Sequence, residues 1–143
     1  MSANIIIATT DAEIQRCFPL MLQLRPHLVE MEFLRRIRRQ QQNAGYALAF
    51  LEEAQHIRCV AGFRISECLF YGKYLYVDDL VTDSSARSQG HGRTMFRWLM
   101  GCAKDHGCSV LNLDSGVQRF DAHRFYLGQR MDISCHHFDL RLG

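Results

Sequence analysis

The sequence predicts a mixed α/β fold, in which a mostly antiparallel sheet is flanked by helices. Three observations support this prediction. Short runs of β-branched and aromatic residues alternate along the chain with segments whose apolar residues recur at helical spacing. Two of the predicted strands, residues 46–51 and 57–69, are joined by a short polar link of the kind that closes an antiparallel hairpin. A further strand, which begins at Tyr74, is followed by one helix of crossover length and then by another short strand.

The size and composition of the chain indicate one ordinary globular domain. Its 143 residues are enough for one hydrophobic core, so we expect a single domain over residues 1–143. The net charge of +2 is too small to indicate a nucleic-acid or membrane partner. The sequence shows neither a signal peptide nor an apolar run long enough to span a membrane, which predicts a cytoplasmic protein. The six cysteines contain no C-x-x-C pair, so we expect reduced thiols.

The first third of the chain predicts one strand and two helices. Residues 4–9 form a short apolar run that is typical of a strand. Thr10 and Glu13 have the spacing of a capping box, which starts a helix that Pro19 should kink or end. A second helix is predicted over residues 27–42, and its inner face consists of Leu28, Met31, Leu34 or Phe33, and Ile37.

The remaining elements follow the hairpin. After the central strand, a helix is predicted from Thr94 to a stop at Gly107. A short buried strand, residues 109–113, precedes a helix over residues 122–129 that Asp121 caps. Residues 136–142 are predicted to form a last strand, so the predicted order is β-α-α-β-β-β-α-β-α-β.

The polar loop after the central strand carries the most specific signal, Arg87-x-x-Gly90-x-Gly92. A strand that enters a helix through a glycine-bearing loop directs several backbone N–H groups at one point, where a phosphate binds well. Arg87 and Arg93 add positive charge, and the glycines remove side chains where a diphosphate would approach. The alternative is a glycine-rich turn without a ligand. A P-loop is excluded because no Gly-Lys-Ser/Thr is present, and a dinucleotide-binding loop would follow the first strand, not the fourth.

Together with a second segment, Asp121-Ala-His-Arg-Phe-Tyr-Leu127, this loop resembles the GNAT family of N-acetyltransferases. The family signature, Arg/Gln-x-x-Gly-x-Gly/Ala after a central strand, matches residues 87–92 in full. The second segment is similar to the helix that carries the family's tyrosine, and its wording is closest to the aminoalkylphosphonate N-acetyltransferases. Arg119 stands where an asparagine is common in the family. The resemblance covers residues 46–138 and implies the GNAT fold, whose fourth and fifth strands splay apart around the cofactor.

The resemblance implies that acetyl-CoA is the cosubstrate and that main-chain groups bind it. The strand residues after Asp79 would hydrogen-bond the pantetheine arm, and the loop would hold the pyrophosphate. A backbone N–H at or near Leu80 could also stabilise the carbonyl oxygen of the thioester. The expected cofactor-binding residues are Leu80, Val81 and Thr82 for the pantetheine arm, and Arg87, Ser88, Gln89, Gly90, His91, Gly92 and Arg93 for the pyrophosphate.

Attack of an amine on a thioester needs a base, and two aspartates of the central strand are candidates. Alternation places Asp79 on one face with Leu75, Val77 and Val81, and Asp78 on the other. A carboxylate that faces the cofactor would be partly desolvated, which makes it a better base. We favour Asp79, since the family frequently has an acidic residue at this position. The alternatives are Asp78 or a water chain, and one of the aspartates could instead pair with Arg64 or Lys73.

The thiolate that leaves needs a proton, and the resemblance implies that Tyr126 supplies it. The motif identifies Tyr126 with the phenol that protonates the sulfur of coenzyme A in the family. From the residues alone, it would be a core tyrosine on an amphipathic helix.

The expected function is acetylation of a primary amine of a small molecule. The alternatives are acetylation of a protein or peptide amine and a non-catalytic acyl-CoA-binding domain.

The arginine-rich stretch 34–42 indicates a solvated helix face, not a nucleic-acid patch, and one or two of its arginines could recognise an anionic acceptor. Because His136 and His137 would point to opposite faces of a strand, no metal site is predicted. Dimers are common in the family, so a homodimer is among the expectations.

Overall fold

The computed structural model describes residues 3–143, which form two compact units. The larger unit ends at Asn112, and the smaller unit is Leu113–Gly143. The larger unit contains β1 (Asn4–Ile7), α1 (Asp11–Arg16), α2 (Phe18–Leu24), α3 (Glu30–Ala44), β2 (Ala47–Glu53), β3 (His56–Cys68), β4 (Gly72–Thr82), a 3₁₀ turn (Ser84–Ala86) and α4 (His91–Asp105). β5 (Val110–Leu113) lies at the boundary, and α5 (Phe120–Gly128) belongs to the smaller unit. The prediction of one domain over residues 1–143 stays a prediction.

The strands form one five-stranded sheet in the order β1-β2-β3-β4-β5. The first four are antiparallel neighbours, so the predicted mixed α/β fold with a mostly antiparallel sheet is confirmed. The hairpin between β2 and β3 is also confirmed, and its turn places Ala54 and Gln55 at positive φ.

The predicted start and break of the first helix are both present. Thr10 and Glu13 form the capping box, with the Glu13 carboxylate accepting from the Thr10 N–H at 3.0 Å and the Thr10 hydroxyl accepting from the Glu13 N–H at 3.1 Å. The helix α1 ends at Arg16, and α2 follows with Pro19 in its first turn. Proline fits there because the first turn needs no N–H donor.

The helix α3 begins later than predicted, at Glu30, and it ends where Gly45 takes a left-handed conformation with φ of 66°. Phe33 and Ile37 are buried on its inner face, as predicted. The placement of Met31 on that face is wrong, since its side chain is 94% exposed. Met31 and Phe33 are two positions apart on α3, which is about 200° around the helix axis, so Met31 points away from the buried face of Phe33 and Ile37.

The helices of the larger unit lie on the two faces of the sheet. On one face, residues of α1, α2 and α3 form a core cluster with strand residues that include Leu48, Phe50 and Val60. On the other face, α4 packs Trp98 edge-on against Phe63 of β3, with ring centroids 5.9 Å apart.

The C-terminal part of the chain departs most from the prediction. The helix α5 begins at Phe120 with Arg119 as its N-cap, so Asp121 lies in the first turn instead of capping it. The strand predicted over residues 136–142 is wrong, since residues 131–143 adopt neither helix nor strand. Phe138, Leu140 and Leu142 are all more than 80% exposed. Alternation predicts a strand only where a neighbouring strand accepts its hydrogen bonds.

No helix between residues 3 and 143 is both long enough and apolar enough to cross a membrane.

Candidate active site

A β-bulge in β4 determines which way its two aspartates face. The ladder between β3 and β4 pairs Phe63 with Val77 and Gly62 with Asp79, so Asp78 is an extra residue without an opposite partner. Because Gly62 and Phe63 are adjacent, they face opposite sides of the sheet. Asp79 therefore faces the opposite side from Val77, and the predicted common face of Asp79 with Leu75 and Val77 is wrong.

Asp78 is held in a bidentate ion pair. The Nε and Nη2 atoms of Arg64 each donate to one of its carboxylate oxygens at 2.9 Å. These hydrogen bonds raise the pKa of the Arg64 guanidinium above its ordinary value. The guanidinium also lies over the ring of Tyr76, 5.3 Å from its centroid. The structural pairing considered for one of the two aspartates thus belongs to Asp78.

Asp79 is oriented by two donors, Arg25 directly after α2 and Tyr46 directly before β2. Arg25, at the end of α2, donates through Nε to Oδ1 at 3.0 Å, and the Tyr46 hydroxyl donates to Oδ2 at 2.8 Å. Arg25 also donates through Nη2 to the Asp78 carbonyl oxygen at 2.9 Å, which holds the guanidinium against the bulge. The Asp79 side chain is 16% exposed. A carboxylate can accept about four hydrogen bonds, so acceptor positions remain on Asp79 for a ligand.

Tyr46 reaches Asp79 because residue 62 is a glycine. A Cβ at position 62 would lie 1.7 Å from the Tyr46 hydroxyl oxygen and 2.4 Å from the ring carbon that carries it. The tyrosine ring thus packs directly on the backbone of β3, and Tyr46 is only 4% exposed. Burial and then the negative charge of Asp79 raise the pKa of Tyr46 well above its ordinary value. The phenol therefore remains a hydrogen-bond donor.

A cavity of about 280 Å³ lies in the larger unit between these residues and the helices α2 and α3. Its wall combines one carboxylate, two guanidinium groups, an imidazole, a phenol and a side-chain amide with an apolar floor. His27 is exposed, so the cavity reaches the surface. The lining residues are Met21, Arg25, His27, Leu28, Phe33, Arg36, Ile37, Gln40, Tyr46 and Asp79.

From the sequence, only Asp79 and the arginine stretch that contains Arg36 were connected with the acceptor, and Arg25 and Tyr46 were not singled out. Gly62 carries a signal, since a glycine inside a strand often marks a close approach of another group. Arg25 and Tyr46 carry none, because they lie 54 and 33 residues before Asp79 in the chain and meet it only through the packing of α2 and β2.

The glycine loop has the backbone form expected of an anion site. Ser88 and Gly90 adopt positive φ angles of 70° and 84°, and α4 begins directly afterwards, at His91. No side chain caps the helix, and its first turn contains no acidic residue. The first N–H groups of a helix have no intrahelical acceptor, so those of α4 fit a pyrophosphate.

The side chains of the loop divide into two groups. The His91 imidazole is buried, with Nε2 3.6 Å from a carboxylate oxygen of Glu53, so His91 offers a ligand its main chain rather than its ring. Arg87 and Arg93 are exposed and can supply positive charge to a phosphate. The set as a whole has the chemistry that the pyrophosphate of coenzyme A requires.

The segment between Asp79 and this loop keeps one edge available. Leu80, Val81 and Thr82 pair with Ala61, Val60 and Cys59 of β3 on one side. On the other side of β4, the neighbouring strand β5 has only four residues, which is too short to pair along the eleven residues of β4. The Ser109 N–H donates to the Lys73 carbonyl at 2.8 Å, so β5 starts beside the first part of β4.

The smaller unit contains Tyr126, which lies half-buried on α5. Its ring packs against that of Phe125, with centroids 5.6 Å apart. His123 on the same helix bonds through Nε2 to the Gly116 carbonyl oxygen at 2.8 Å, in keeping with a structural histidine. Within residues 3–143, no group of three or more His, Cys, Asp or Glu side chains is arranged to hold a metal ion.

Comparison with known proteins identifies the family. A family model described as the acetyltransferase (GNAT) family matches residues 10–129. The uncharacterized N-acetyltransferase YhdJ of Bacillus subtilis (strain 168) is 34% identical over 118 residues, which are 82% of this chain and 83% of the relative.

Two solved structures share the fold. A transcriptional regulator from Bacillus halodurans C-125 superposes with a TM-score of 0.87 at 20% identity, over 99% of this chain and 100% of that one. An aminoglycoside N-acetyltransferase, AAC(6')-Iy in complex with CoA, has a TM-score of 0.85 at 12% identity, over 99% of this chain and 97% of that one. The family match and the relative together show that the chain belongs to the GNAT family, acetyltransferases that use acetyl-CoA.

Proposed function

We propose that this enzyme transfers the acetyl group of acetyl-CoA to a primary amine of a small molecule, by direct attack of the amine on the thioester. The observation that carries the proposal is the cavity beside Asp79. It places an oriented carboxylate in the wall of a space of about 280 Å³, one residue before the strand segment that leads to the glycine loop. That volume is near the lower end of small-ligand pockets, about 300 Å³, and suits a small acceptor.

Asp79 is the proposed base. An amine reaches the cavity mostly as an ammonium, which must lose a proton before it can attack. Asp79 has acceptor positions to bind that ammonium and take its proton, while Arg25 and Tyr46 hold the carboxylate in one orientation. Asp78 is not proposed, because it does not line the cavity and is held instead by Arg64.

Main-chain groups are proposed to bind acetyl-CoA, which supplies the activated acetyl group. The backbone of Leu80, Val81 and Thr82 would hydrogen-bond the pantetheine arm along the edge that β3 does not occupy. The N–H groups of residues 88–93 would bind the pyrophosphate, with Arg87 and Arg93 neutralising its charge.

Tyr126 is the proposed acid for the departing thiolate. The family role of the tyrosine in segment 121–127 supports this assignment. A cytoplasmic location and a homodimer belong to the same proposal, the first because buried thiols such as Cys17 and Cys59 stay reduced there.

The test is release of free thiol from acetyl-CoA in the presence of a panel of small amines, with matched variants of both catalytic residues. Asp79→Asn should lower kcat by roughly 10²–10⁴-fold, since a proton acceptor is lost. Asp78→Asn is the control, because it also removes an arginine-paired carboxylate of β4 but should retain most of the activity. Tyr126→Phe should lower kcat while the affinity for coenzyme A stays unchanged.

The proposal fails if the protein binds coenzyme A and no amine of the panel is acetylated. Acetylation of peptide amines alone would favour a protein or peptide acceptor instead. If Asp79→Asn retained most of the activity, as Asp78→Asn should, Asp79 would be removed from the mechanism and a water chain would be favoured as the base.

A further inference from the structure

The arginines of α3 differ in whether they have partners. Arg35 forms an ion pair with Glu32 at 3.8 Å, and Arg38 forms one with Asp11 at 2.6 Å. Arg36 lines the cavity and is half-buried, yet its guanidinium makes no ion pair and no hydrogen bond with any residue from 3 to 143. Its guanidinium is therefore available to a charged group of a ligand in the cavity.

The charges of the cavity wall do not cancel. Arg25 is neutralised by its ion pair with Asp79. Arg36 has no such partner among the described residues, and the only other basic side chain among the described lining residues is the exposed imidazole of His27. The planar guanidinium of Arg36 therefore suits an oxyanion, which it can bind through two parallel hydrogen bonds.

We propose that the acceptor is a small amine that also carries an oxyanion, and that Arg36 binds this oxyanion while Asp79 binds the ammonium. This inference rests on the proposed function, since it names the class of the acceptor. The cavity wall has remaining acceptor positions on Asp79 for an ammonium and, in Arg36, a guanidinium unpaired among the described residues for an oxyanion, which matches a molecule with charges of both signs. A carboxylate, a phosphate and a phosphonate share the required chemistry, and the experiment separates them.

The experiment compares amines that differ in charge but not in size. Each pair consists of an amino acid and its amide, namely glycine and glycinamide, β-alanine and its amide, and 4-aminobutyrate and 4-aminobutanamide. The three lengths scan the distance between the two charges. The phosphonate arm is 3-aminopropylphosphonate, and the phosphate arm is O-phosphoethanolamine. The native enzyme should have a kcat/KM for the best anionic amine about tenfold or more above that for its amide.

The variant Arg36→Gln identifies the residue responsible. It should lower kcat/KM for the anionic amines by about ten- to a hundredfold, mainly through KM, and change that for the amides by less than about threefold. Arg36→Lys should restore part of the loss. Arg39→Gln is the matched control, because Arg39 lies on the same helix, has no partner among the described residues and does not line the cavity.

The outcomes separate this inference from the proposed function. Equal use of the anionic amines and their amides, or an equal effect of Arg36→Gln on both, would overturn the inference and leave the proposed function intact. Calorimetric binding of an anionic amine that Arg36→Gln abolishes, without turnover of any amine, would support the inference and overturn the proposed function. Absence of both binding and turnover would overturn both.

Discussion

At the scale of single residues, a glycine sets the geometry of the candidate base. Gly62 has no side chain, so the ring of Tyr46 can lie on β3 and its hydroxyl can reach the Asp79 carboxylate directly across the ladder. The Asp79 carboxylate is then fixed in one orientation, because the protonated Tyr46 binds one of its oxygens and the Arg25 guanidinium binds the other.

Replacing this glycine should damage both stability and activity. Gly62→Ala would place its Cβ 1.7 Å from the Tyr46 hydroxyl oxygen, so the ring must move and release Asp79. We expect a loss of about 1–3 kcal/mol in the free energy of unfolding, together with a lower kcat. Urea unfolding and the thiol-release assay measure the two effects.

The control for this change is Gly101→Ala in α4. No atom lies within 4 Å of a Cβ at that position, so the alanine should be neutral or stabilise the helix by up to about 1 kcal/mol. If Gly62→Ala changed the free energy of unfolding no more than Gly101→Ala does, the contact between residue 62 and Tyr46 would contribute nothing to stability.

At the scale of elements, the start of α4 is the part of the site that a short stretch of sequence specifies. The motif predicted that a strand, a glycine loop and a helix follow one another, and the structure has β4, the loop and α4 in that order. The helix begins at His91, three residues earlier than the predicted Thr94. The glycines therefore adjoin the uncapped N–H groups, which brings the loop closer to the form of an anion site.

Gly90→Ala should weaken binding of coenzyme A. Gly90 has a φ of 84°, which an alanine adopts at a cost of about 1–2 kcal/mol. Either the loop relaxes and its N–H groups turn away from the pyrophosphate, or the strain lowers stability. We expect a weaker affinity for coenzyme A in calorimetry and a higher KM for acetyl-CoA.

Gly45→Ala is the control that separates strain from binding. Gly45 has a similar φ of 66° at the end of α3, with no atom within 4 Å of a Cβ. It should lose a similar amount of stability without any change in cofactor affinity. Equal effects of the two substitutions on affinity would mean that the loop is not the pyrophosphate site.

At the scale of the whole molecule, burial of thiols couples stability to alkaline pH. Burial raises the pKa of Cys17 from 9.0 to about 12 and that of Cys59 from 9.0 to about 11. Both cysteines are fully buried and without a disulfide. The native state thus keeps protons that the unfolded chain gives up as the pH rises.

The free energy of unfolding should therefore fall as the pH rises above about 9. Below pH 9 both states are protonated and the stability is fully present. Between pH 9 and the folded-state pKa values, the unfolded state binds fewer protons, and each thiol lowers stability by at most about 1.4 kcal/mol per pH unit. Urea titrations at pH 8, 9 and 10 measure this slope, and Cys17→Ala should reduce it. A slope that Cys17→Ala leaves unchanged would contradict the explanation.

Local patterns in the sequence determined the parts of this protein that depend on neighbours along the chain. The capping box of α1, the helix break just before Pro19, the hairpin of β2 and β3 and the glycine loop before α4 were all predicted, because backbone geometry over a few residues decides them. The two motifs of the family likewise predicted an acetyltransferase that uses acetyl-CoA.

Only the tertiary structure decided the acceptor side. The bulge that turns Asp79 toward the cavity arises from the register between β3 and β4, and alternation along one strand cannot reveal it. Arg25, Arg36 and Tyr46 reach the cavity through packing of separate elements, and the predicted strand at residues 136–142 is not formed. A glycine loop is specified by a short motif, whereas a cavity made of side chains from α2, α3, β4 and the residues beside them exists only once those elements have packed together.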